Sequence, residues 1–85
     1  MRISIKIKDL HRVSLYMDLT DAMVTVDGGE WVVDTPKETR IYETTAELME
    51  DVNAELEEIK EIYTGRGDLA EYKEAEKRAA KVRRL

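Results

Sequence analysis

The chain has 85 residues, 19 acidic and 14 basic, with a net charge of −5 and no cysteine. That excludes disulfides, a thiolate metal site and a cysteine nucleophile, and it bounds the chain to one domain, 1–85, near the small end of what folds alone. No apolar run approaches the roughly 20 residues that span a bilayer, and the first residues lack a signal-peptide pattern, so a cytoplasmic protein with no membrane partner is expected.

Ile3, Ile5 and Ile7 alternate with Ser4, Lys6 and Lys8. Alternation of β-branched residues predicts a half-buried strand over residues 2–8. Residues 9–19 fit two templates. As a helix, Asp9 caps it and Leu10, Val13, Tyr16 and Met17 form a stripe. As a strand, Val13, Leu15, Met17 and Leu19 alternate with polar positions, and this template accounts for more of the apolar residues. The reading adopted is a strand.

Val24 and Val26 then alternate toward Asp27-Gly28-Gly29-Glu30, followed by Trp31, Val32 and Val33. Two glycines supply the positive φ angles of a tight turn, so a β-hairpin is predicted, with Trp31 packing across the sheet. Pro36 interrupts the sheet, and Arg40, Ile41 and Tyr42 add a short last strand.

Residues 44–64 form the strongest helix signal. Leu48, Val52, Leu56, Ile59 and Tyr63 recur at helical spacing and mark one face. Thr44 with Glu47 fits a capping box. Gly65 is the expected left-handed C-cap, and Asp68 with Glu71 opens a second helix over 68–84, with Leu69, Tyr72, Ala75, Ala79 and Val82 as its stripe. The predicted fold class is α+β: a small antiparallel sheet of three to five strands in residues 2–43, a strand meander, then an antiparallel helical hairpin over 44–85 packed on it.

Charge is unevenly spread. Residues 43–65 hold eight carboxylates and one lysine, whereas residues 66–85 hold seven basic and four acidic side chains. The simplest expectation is that the basic helix neutralises the acidic one.

Candidate chemistry is sparse. His11 is the lone histidine, and neither Ser4 nor Ser14 is spaced as its partner nucleophile. The acidic run matches no calcium loop and lacks a Glu-x-x-His pair, so no metal and no cofactor is expected. Arg66-Gly67-Asp68 spells the integrin tripeptide, but its glycine and aspartate serve a turn and a cap. Gly65-x-Gly67 follows a helix, not the strand of a phosphate-cradling loop.

Residues 1–38, with ISIKIKDL and then TDAMVTVDGGEWVVD, resemble the opening of small HPr-like phosphocarrier domains, where a strand and helix lead into a similar hairpin. His11-Arg12 does not reproduce that family's His-Ala-Arg-Pro phosphorylation motif, and the C-terminal helical hairpin departs from it. No site or function is carried over.

The expected function is therefore non-catalytic protein binding, as in the small inhibitors and adaptors of phages and mobile elements. Glu47, Glu50, Asp51, Glu55, Glu57, Glu58 and Glu61 are the expected contact residues, meeting a basic surface on an unidentified protein, in some cases a cleft that holds nucleic acid. One alternative is a homo-oligomerisation domain, a homodimer through the helical hairpin, with Met49 and Ile62 exposed beside the stripe. The other is direct nucleic-acid binding through Lys77, Arg78, Lys81, Arg83 and Arg84, which the acidic balance disfavours.

Overall fold

The computed structural model describes residues 3–83. Its elements are α1 (Ile7–Leu19), β1 (Met23–Asp27), β2 (Glu30–Asp34), β3 (Thr39–Tyr42), α2 (Thr45–Gly65) and α3 (Leu69–Ala79). The sheet is antiparallel in the order β1-β2-β3, with the helices on one face. The fold class is α+β, as expected.

The hairpin forms as predicted. Asp27 pairs with Glu30, and Val24 with Val33. Gly28 and Gly29 both take positive φ, 60° and 83°, the backbone that a two-residue turn between twisted strands requires. Trp31 and Val33 face inward beside Val24, and in β3 Tyr42 lies opposite Trp31.

Residues 3–19 differ from expectation. Residues 3–6 belong to no strand; residue 2 of the predicted strand lies outside the described residues. Ile3 and Ile5 still pack against the core, while Ile7 opens α1 and is exposed. Residues 9–19 are helix, not strand. The cause is burial on several sides: α1 contacts α2, α3 and β1, so Leu10, Val13, Ser14, Leu15 and Tyr16 are all buried. The helical stripe of Leu10, Val13 and Tyr16 is present, but burial on further sides adds Leu15 to it, and that extra apolar position lets the same residues satisfy a strand alternation as well.

α2 starts where the capping box places it. Thr44 Oγ1 accepts from the Glu47 N–H at 3.1 Å. Its far end is corrected by two residues: Gly65 stays helical, and Gly67 takes the positive φ of 78°. Asp68 precedes α3 without capping it, its carboxylate turning to Arg66 at 3.5 Å. α3 ends at Ala79, shorter than predicted; residue 84 of the predicted span lies outside the described residues.

One cluster of buried side chains ties the layers together, with Trp31, Leu15, Leu48, Leu56 and Tyr72 its largest members. Tyr72 of α3 meets Tyr63 of α2 edge to face at 5.9 Å, a favoured aromatic geometry. Thr45 joins three segments: it accepts from Trp31 Nε1 at 3.0 Å and donates to the Ser4 carbonyl at 2.9 Å.

Candidate functional site

α2 is long enough to present two distinct polar faces. Its apolar positions Leu48, Met49, Val52 and Leu56 are buried against α1, α3 and β3. Met49, expected to be exposed beside Ile62, is only 7% exposed, whereas Ile62 is 57% exposed. The proposed hairpin dimer face therefore loses one of its two apolar anchors. Position 49 lies close to the buried stripe on a helical wheel, and α2 packs on enough neighbours to widen that stripe.

The seven candidate carboxylates divide into two groups. Asp51 and Glu55 turn toward the sheet and are partly buried. Arg40 of β3 sits between them: Nη1 is 3.6 Å from Asp51 Oδ2, and Nη2 is 3.4 Å from Glu55 Oε2. Arg40 Nη2 also donates to the Tyr16 hydroxyl at 3.0 Å, and Nε lies 3.3 Å from Glu38 without hydrogen-bond alignment. Tyr42 donates its hydroxyl proton to Asp51.

This cluster shifts its own titrations. Burial, then the hydrogen bond to Asp51, pushes the Tyr42 phenol well above the usual tyrosine range. Burial and the neighbouring Glu55 carboxylate raise Tyr16, against the opposing pull of Arg40. Burial works against the Arg40 charge, but Glu55, Tyr42 and Tyr16 outweigh it, and its net shift is upward. These are the signs of a structural polar cluster that holds β3 to α2 and α1.

Glu47, Glu50, Glu57, Glu58 and Glu61 form the other group and are exposed. Glu47 accepts from the Thr44 hydroxyl at 3.0 Å within the cap. Glu50, Glu57, Glu58 and Glu61 have no ion-pair partner among the described residues. Among the described residues the expected neutralisation by the C-terminal helix does not occur there. Arg78 pairs with Asp18 of α1 at 3.0 Å, and Lys77 with Glu74 of its own helix at 3.5 Å. The reason is layering: α3 packs against α1 as well as α2, and its basic end faces α1.

The acidic face borders a cleft of about 470 Å³ lined by Tyr16, Thr20, Glu55, Glu58, Ile59, Glu61 and Ile62. Carboxylates beside Ile59 and Ile62 suit a lysine or arginine side chain, whose stem is apolar and whose head is cationic. A second cleft, sharing Tyr16, Thr20 and Glu55, continues toward Thr35–Glu38.

Elsewhere, His11 Nε2 is 3.0 Å from the Val82 carbonyl oxygen, which can only accept, so that nitrogen carries a proton. Among the described residues no group of three or more His, Asp and Glu side chains is arranged to hold a metal ion. No described helix is long and apolar enough to cross a membrane. Sequence reasoning missed Arg40 as the residue that divides the acidic face; its position between Ile41 and the strand start offered no sign of a partner fifteen residues away. Comparison with family models, with curated proteins and with solved structures gives no match.

Proposed function

We propose that this chain is a non-catalytic protein-binding module whose outward α2 carboxylates occupy a basic cleft on a partner protein. The observation that carries this reading is the unpaired state, among the described residues, of Glu50, Glu57, Glu58 and Glu61 on a rigid helix. Unpaired carboxylates in a row cost folding stability by mutual repulsion, and a cationic partner would relieve that repulsion.

Spacing adds a nucleic-acid-like character. From Glu47 to Glu61 the helix rises about 21 Å, so its five outward carboxylates come on average about one per 5 Å, a linear charge density of the same order as the ~3.4 Å charge spacing of one DNA strand. A protein surface built to grip a phosphate backbone therefore fits this face. Inhibition of a nucleic-acid-binding protein is the function class that follows.

The test is capture of partners from host lysate on the immobilised chain, with and without excess duplex DNA. The E50K/E57K/E58K variant serves as the control. The expected result is a nucleic-acid-binding protein retained by the native chain, displaced by DNA and lost by the variant. An unchanged affinity of that protein for the folded variant overturns the reading.

A further inference from the structure

We infer that the free edge of β1 and the apolar cleft beside it form an interface with a second copy of this chain. Asp27 and Glu30 close the two-residue hairpin, so ladder alternation leaves Val24 and Val26 with their N–H and C=O groups pointing away from β2. The Val24 N–H meets the Met17 thioether sulfur at 3.4 Å and Val24 is only 3% exposed, so pairing requires the flexible Met17 side chain to swing aside and give up this weak contact to a strand carbonyl. The strand reads Met-Val-Thr-Val-Asp, with no proline, lysine or bulge to blunt the edge. Alongside it runs a cleft of about 810 Å³ lined by the apolar Met17, Met23, Val24, Val26 and Val82 and by the polar Ser14, Asp18 and Thr25. Met23 is 61% and Val26 49% exposed there.

A second copy is the occupant because the edge is complementary to itself. Antiparallel pairing centred on Thr25 sets Val24 opposite Val26 of the other copy and Thr25 opposite Thr25. The two valine pairs are the hydrogen-bonded kind, and each exchanges both main-chain bonds. Two-fold symmetry then brings the two apolar clefts together.

Charge agrees with this pairing. Asp21 precedes β1 and Asp27 ends it, while Lys81 and Arg83 flank Val82 on the cleft; all four are exposed and lack ion-pair partners among the described residues. A patch carrying both signs can satisfy itself. The opposite edge cannot: β3 lies between Glu38 and Glu43 and under α2, so pairing there would oppose like charges. Pairing through β1 also leaves the α2 carboxylates at the outer ends of a continuous sheet, and it stands whether or not those carboxylates bind a partner.

A five-residue strand with its cleft gives an interface at or below about 1,200 Å², the size of weak associations. The test is sedimentation equilibrium of the full chain from about 5 µM to about 500 µM, the range expected for so small a contact. The mass is expected to rise toward the dimer, and the Val24 and Val26 amide resonances to shift with concentration while those of Thr39 and Ile41 stay fixed. V26K, which places an ammonium group on each side of the seam, is expected to weaken the dimer at least about tenfold. I41K, at a position more exposed than Val26 but remote from the seam, is expected to leave it unchanged, with circular dichroism confirming both folds. A monomer throughout, concentration shifts on β3 instead of β1, or a folded V26K that associates like the native chain overturns the inference.

Discussion

Arg40 Nη2 lies 3.4 Å from Glu55 Oε2, and this contact binds the last strand to the middle of the long helix. The same guanidinium serves Asp51, Glu38 and Tyr16, so one cation holds three carboxylates and a phenol near each other. Its ion pairs are long and a quarter or more exposed, which keeps each one's contribution small.

Arg40→Ala is therefore expected to destabilise the fold by about 1–2 kcal/mol at low salt, mainly through uncompensated carboxylate repulsion. The loss shrinks toward zero as salt rises to about 1 M, where screening is short-ranged. Urea unfolding at several ionic strengths measures it, and a salt-independent loss would show that packing, not charge, is what Arg40 supplies.

Thr45→Val keeps the side-chain shape but removes the acceptor for the Trp31 indole N–H and the donor to Ser4. Trp31 is almost fully buried, so its N–H is left without its partner. A loss of about 1–3 kcal/mol is expected. Hydrogen exchange at residues 3–6 is expected to speed up more than global unfolding explains, because the tether to the first segment goes with the hydroxyl.

Tyr16, Tyr42 and Tyr72 are all raised above the ordinary phenol value, in each case chiefly by burial. A raised phenol favours the fold only while the unfolded chain would also be protonated. Their stabilisation is thus complete below about pH 10, the unfolded value, and falls as pH climbs through their higher folded values. Denaturant unfolding at pH 8 and pH 11 is expected to show that decline, with a smaller decline in Tyr42→Phe. Equal declines in the two proteins would remove Tyr42 from the account.

Glu57→Gln and Glu61→Gln are expected to leave stability within about 0.5 kcal/mol, or to raise it by a few tenths. The two carboxylates stand one turn apart, unpaired among the described residues, and repel. Thermal unfolding of each variant is the measurement. A loss beyond about 1 kcal/mol would mean that the outward face serves the fold itself, and the binding proposal would lose its basis.

The legible parts of this chain are those decided by neighbours in sequence. Gly28-Gly29 dictates a tight hairpin because positive φ is a property of the residue itself. Thr44 and Glu47 start α2 because the cap closes within one turn, and the spacing of Leu48, Val52 and Leu56 marks its inward face. The acidic block at 43–61 and its contrast with the basic end are likewise plain from composition.

Where each of those faces is used depends on how the folded layers meet. Residues 7–19 fit a helical stripe through Leu10, Val13 and Tyr16 and a strand alternation that includes Leu15, and the choice falls to the helix because α2, α3 and β1 enclose it and bury both sets. Met49 is buried, Arg40 withdraws Asp51 and Glu55 from the acidic face, and Arg78 turns to Asp18, each through a partner at least nine residues away in the chain or on another element. Local backbone preference acts within a turn or two; side-chain pairing and burial depend on which surfaces the folded layers bring together.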